Sequence, residues 1–97
     1  MIGKAIEYTY SIGDSYRVEL TETGATWTAL SGSAAGSTGT EVYDYAEVAP
    51  NVFMITWLES SAEVVTLVAN LNEMTIHCSY VYEKERHFWQ GKINSIS

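Results

Sequence analysis

At 97 residues and 10.8 kDa the chain has room for one small core, so a multidomain enzyme is excluded and residues 1–97 are expected to form a single domain. Five Lys plus Arg against twelve Asp plus Glu leave a net charge of −7, which phosphate backbones and anionic bilayers repel, so neither nucleic acid nor membrane is an expected partner. A hydrophobic share of 46% with Trp 3, Tyr 7 and Phe 2 is too apolar for a disordered chain.

Glycines and the lone Pro50 cut the sequence into short runs rich in Val, Ile, Thr, Tyr and Trp, the composition of strands. Ala5 to Tyr10 and Ser15 to Thr21 flank Ser11-Ile12-Gly13-Asp14, and Glu22-Thr23-Gly24 leads into Ala25 to Ser31, which makes two consecutive hairpin connections. Gly32 to Gly39 holds only small residues and reads as a long loop or a flexible strand edge. Thr40 to Val48, Val52 to Glu59 and Glu63 to Asn70 follow, separated by Ala49-Pro50-Asn51 and Ser60-Ser61-Ala62. Met74 to Tyr82 and His87 to Ile96 close the series across the solvated turn Glu83-Lys84-Glu85-Arg86.

Eight strands of roughly eight residues and seven connections of about four use nearly the whole chain, leaving little or no room for helix. Connections this short join antiparallel neighbours, so the expected fold is all-β: an eight-stranded antiparallel up-and-down barrel, with a two-sheet sandwich as the alternative. A barrel of this size either fills its interior with side chains or holds one small ligand.

Alternation puts Tyr8 and Tyr10, then Tyr16, Val18 and Leu20, then Ala25, Trp27 and Ala29 on one face, with Glu7, Arg17, Glu19, Thr26 and Thr28 on the other. The strand from Thr40 has tyrosines and carboxylates on one parity and offers no clear inward face. In the next strand Phe53, Ile55, Trp57 and Glu59 share a parity, so an inward Trp57 brings a carboxylate with it. Two phenols and one carboxyl around an apolar cavity suit proton transfer or phenol binding, since burial raises a carboxyl's pKa toward neutrality. Against this stands the common placement of a strand-end Glu in water at a barrel rim.

The remaining chemistry-bearing residues give weaker signals. His77 alternates with Ile76 and Cys78 and is expected outside, while His87 stands beside a turn; neither has a partner at metal-ligand spacing, so no metal and no cofactor is expected. Cys78, the only cysteine, reads as a small buried core residue and can form no internal disulfide. Gly32, Gly36 and Gly39 lack the Lys-Ser/Thr and helix of a phosphate loop. Met1-Ile2-Gly3-Lys4 does not open a secretory signal, and no apolar run approaches the roughly 20 residues of a membrane span, so a cytoplasmic location is expected.

Tyr8-Thr9-Tyr10 with Gly13 and Tyr16, Ser31-Gly32 with Ala35-Gly36, and Val52-Phe53 with Trp57-Leu58-Glu59 together resemble the phenolic acid decarboxylases and the related MoaF-like proteins, over roughly Tyr8 to Tyr82. The resemblance implies a lipocalin-like (calycin) barrel. In the decarboxylases the Tyr-x-Tyr pair holds the carboxylate of a hydroxycinnamic acid, and an arginine and a glutamate line the same cavity; Tyr8, Tyr10 and Glu59 match that pattern. Ser37 stands where the arginine is expected, and the sequence ends at Ser97 with its last strand, whereas the decarboxylases continue into a helical region. The shorter MoaF-like branch is the closer fit.

The expected function is therefore binding of a small aromatic or phenolic molecule inside the barrel, with Tyr8, Tyr10, Tyr16, Trp27, Trp57 and Glu59 as ligand-binding residues. With no inward cation identified, a neutral or amine-bearing ligand suits the cavity better than an acid. The enzymatic alternative is a cofactor-free decarboxylase in which Glu59 exchanges a proton and Tyr8 and Tyr10 orient a carboxylate. A third reading is a filled barrel acting through its surface or as a homodimer, because small barrels gain stability from extra burial.

Overall fold

A computed structural model describes all residues, Met1–Ser97. The chain forms nine strands and no helix: β1 (Ala5–Tyr10), β2 (Ser15–Leu20), β3 (Ala25–Ala29), β4 (Thr38–Glu41), β5 (Tyr43–Ala49), β6 (Val52–Leu58), β7 (Val64–Asn70), β8 (Thr75–Tyr82) and β9 (Glu85–Ile96). They make one sheet of order β4-β3-β2-β1-β9-β8-β7-β6-β5, antiparallel throughout. The sheet's two end strands are consecutive in the chain and separated only by Val42, so the sheet curls into a nearly closed barrel. With no helix in the chain, none is long and apolar enough to cross a membrane.

The fold class agrees with the alternation of the sequence, and the strand count differs by one for a local reason. The run expected as Thr40 to Val48 is two strands, because its first half pairs with β3 (Ala25↔Glu41) and its second with β6 (Tyr43↔Trp57). Val42, 85% exposed, sits where the chain passes from one neighbour to the other. Its partners also settle the face that alternation left open: Glu41 and Tyr43 lie opposite the inward Ala25 and Trp57 and share their side of the sheet. The small-residue stretch is shorter than its composition suggests, since Thr38 and Gly39 already belong to β4.

Burial divides the barrel along its length. Ile6, Val18, Leu20, Ile55, Leu67 and Ile76 are fully buried and fill the end near the β2–β3, β5–β6 and β7–β8 turns. The first strand pair ties to the last through Tyr8↔Ile93 and Tyr10↔Gly91, with an extra residue between the pairings of Glu7 and Tyr8. That bulge turns Asn94 outward, where its Nδ2 donates to Thr9 Oγ1 at 2.8 Å. Outside, cross-strand threonines pair at Thr26–Thr40 (2.9 Å) and Thr56–Thr66 (3.0 Å), the contacts expected of a polar sheet face. Arg17 lies on this outer face, 3.7 Å from both Glu7 and Glu19.

Candidate functional site

The end opposite the packed core is hollow. Between the β1–β2, β3–β4, β6–β7 and β8–β9 connections a cavity of about 320 Å³ opens to solvent. Tyr8, Tyr10, Tyr16, Trp27, Trp57 and Glu59, the six residues singled out from alternation and resemblance, all line it. Their convergence follows from register: Tyr8 pairs with Tyr16 across β1 and β2, so both rings leave the same face and lie 6.2 Å apart, with the Tyr10 ring 5.2 Å from Tyr8.

Trp27 is seated by a glycine. Gly39 is its cross-strand partner, and a Cβ at Gly39 would come within 2.9 Å of the indole Nε1, so the ring can lie across β4 only because that side chain is missing. In this position Nε1 donates to Glu41 Oε2 at 3.0 Å. Trp57 does the same for Glu59, its Nε1 donating to Oε2 at 3.1 Å. Each tryptophan thus presents a ring to the cavity and holds a carboxylate with its edge.

Glu59 follows β6 directly, and the Ser60-Ser61-Ala62 turn, with Ala62 at φ 77° and its N–H on the Glu59 carbonyl, brings Glu63 back opposite it. The Glu59 amide donates to the Glu63 carbonyl at 2.8 Å, and both side chains line the cavity. Burial, opposed by the Trp57 hydrogen bond and reinforced by Glu63 and Glu41, pushes the Glu59 carboxyl from 4.5 up to about 7. Glu63, held by the Ser61 hydroxyl at 2.7 Å and by Glu59, moves down. Of the two carboxyls, Glu59 is therefore the one that holds its proton more tightly.

A pH dependence of stability follows. Glu59 binds its proton more tightly in the folded chain, so its contribution is present below about 4.5 and is lost as pH rises to about 7. Glu63 acts in the opposite sense and in a lower window, losing its contribution as pH falls below its ordinary range. Glu59→Gln is expected to flatten the decline of the melting temperature between pH 4.5 and 7 relative to the parent; parallel curves would show that Glu59 does not titrate in that window.

Burial raises the phenols of Tyr8 and Tyr10 far above their ordinary range, which keeps both neutral and able to donate hydrogen bonds. Cys78 lies beside them, buried as expected; burial pushes its thiol up as well, away from reactivity. Its place on the cavity wall is not legible in the sequence. Tyr80, His87 and Trp89 also escape a reading by alternation as site residues, and register shows why they belong: Tyr80↔His87 and Cys78↔Trp89 put them on the inward face of β8 and β9. The parity of Trp89 with Gly91 and Ile93 is the available signal. His87 stacks on Trp89 at 5.3 Å and lies 3.7 Å from Glu85, whereas His77 stacks on Phe88 on the outer face, where alternation puts it. No group of His, Cys, Asp or Glu is arranged to hold a metal ion.

Comparison with known proteins bears on this geometry at two levels. The family model described as MoaF-like matches residues 2–94. The chain belongs to the MoaF-like family. No curated protein matches it. Among solved structures it is similar to one from Burkholderia vietnamiensis described as a "putative beta-lactamase", with a TM-score of 0.89 and 22% identity over 96% of this chain and 92% of that one. At that identity the likeness of this MoaF-like protein concerns the fold alone.

Proposed function

We propose that this MoaF-like protein binds a small aromatic or phenolic molecule inside its barrel. The observation that carries the reading is the open cavity of about 320 Å³, the size of a small-ligand site, whose lining residues are mostly hydrophobic, aromatic rings foremost. Rings supply apolar contact and stacking, while the neutral phenols of Tyr8 and Tyr10 and the Glu59–Glu63 pair can hydrogen-bond a polar end. A filled barrel acting only through its surface has this cavity against it.

The decarboxylase reading draws on Glu59, a carboxyl that carries a proton near neutrality beside Tyr8 and Tyr10. Ser37 lines the wall where that activity calls for an arginine, and no Lys or Arg lines the cavity, so a substrate carboxylate would meet two glutamates without a counter-charge. Ligand binding without turnover is the reading we adopt.

All three tryptophans of the chain, Trp27, Trp57 and Trp89, line the cavity, so an occupant must perturb their emission. Titration with a panel of single-ring phenols, aromatic alcohols and aromatic amines is expected to give saturable quenching or a spectral shift for at least one compound. A panel that leaves the emission unchanged throughout would overturn the proposal. Incubation with p-coumarate, followed by proton NMR, is expected to yield no vinylphenol; protein-dependent vinyl signals would establish the decarboxylase instead.

A further inference from the structure

We infer that the cavity selects organic cations, an ammonium group carried on an aromatic body, over neutral or anionic compounds of the same shape. The inference rests on the ligand-binding reading above and names the class of ligand.

Charge distribution carries it. Two carboxyl side chains, Glu59 and Glu63, open onto the cavity across a three-residue turn, and a third, Glu41, held by the Trp27 indole N–H, is close enough to act on Glu59. No Lys or Arg lines the cavity. Arg17 is engaged on the outer face by Glu7 and Glu19, Lys92 lines the outer groove around Gly91, Lys4 belongs to the exposed N-terminus, Arg86 pairs with Val81 on the outward parity of β9, and Lys84 is exposed in the β8–β9 turn at the rim. The one basic side chain on the cavity wall, His87, is exposed, stacked on Trp89 and 3.7 Å from Glu85. The site therefore carries uncompensated negative charge facing a partly desolvated space, an arrangement that raises the attraction for a cation above its value in water.

The walls add a second, independent preference. Trp27, Trp57, Trp89, Tyr16 and Tyr80 present rings around the same volume, and their negative faces attract an ammonium within about 6 Å of a ring centroid. The indole N–H groups of Trp27 and Trp57 are already spent on Glu41 and Glu59, so neither is free to donate to a ligand anion. An ammonium seated between Glu59 and Glu63, which both line the cavity, would also offset the repulsion between the two carboxylates. A carboxylate-bearing ligand meets the opposite of each of these terms.

Three probes on one phenylethyl frame separate the contributions: 2-phenylethylamine, 2-phenylethanol and 3-phenylpropanoate, titrated into the unmodified protein by calorimetry or ligand-observed NMR at pH 7.5. The amine is expected to bind at least about tenfold more tightly than the alcohol, and the carboxylate more weakly than either. Equal binding of amine and alcohol, or preference for the carboxylate, would overturn the cation inference and leave the ligand-binding proposal standing. If none of the three binds and the fluorescence panel is also silent, both fall. In the double variant Glu59→Gln/Glu63→Gln, with its fold checked by circular dichroism, the preference for amine over alcohol is expected to collapse to within about twofold. A preserved preference would remove the glutamates as its source.

Discussion

Gly91→Ala is expected to lower stability by about 3 kcal/mol or more, the upper end of what overpacking a core costs. Gly91 lies on β9 between Tyr10 of β1 and Ile76 of β8, where a Cβ would run into the Thr9 carbonyl oxygen and stand 2.6 Å from Tyr10 Cα. These are backbone atoms, so no side chain can swing aside to make room, and the β1–β9 pair would have to separate where it connects the first and last strands of the barrel. For a domain of this size such a loss shifts the melting temperature by roughly 12–24 °C. Thermal or urea denaturation of the variant checks it. A melting temperature within a few degrees of the parent would mean that β1 and β9 do not approach this closely.

Trp57→Ala is expected to cost a comparable amount, about 3–5 kcal/mol for truncating a buried tryptophan. Only 5% of Trp57 is exposed, and its ring belongs both to the packed cluster and to the cavity wall, so truncation joins the cavity to the space left behind. The same change releases Glu59 from its indole N–H. Trp57→Phe separates the two consequences. It keeps an apolar ring but removes the donor, and because that hydrogen bond is what lowers the Glu59 pKa, the carboxyl is expected to titrate above about 7 in the Phe variant. Side-chain carboxyl chemical shifts followed against pH measure this directly; a Glu59 pKa that stays the same or falls would show that the indole does not hold the carboxylate.

The two experiments probe different parts of one design. Branched aliphatics close one end of the barrel, while the other end keeps rings and carboxyls around open space. Dense packing supplies stability at the first end and so allows the second to remain hollow, because a cavity's cost is tolerable only where the rest of the core offsets it.

Much of this design is legible in the amino-acid sequence. Period-two alternation identifies the inward faces of the strands bearing Tyr8, Tyr10, Tyr16 and Trp27, since a side chain's side of a sheet depends on parity alone. Turn chemistry at short spacing establishes antiparallel neighbours, and the shared parity of Trp57 and Glu59 puts a carboxyl on an aromatic face. The bend at Val42 is not legible, because whether a strand keeps one neighbour or exchanges it for another depends on pairing partners distant in sequence. The same holds for Tyr80, His87 and Trp89, whose inclusion depends on the β8–β9 register. Local sequence by itself determined the all-β class and the faces of most strands. Only the tertiary structure decided that Glu59 meets Glu63, that Gly39 makes room for Trp27, and that one end of the barrel stays open, because each of these depends on distances between strands and on the volume left when side chains from every strand converge.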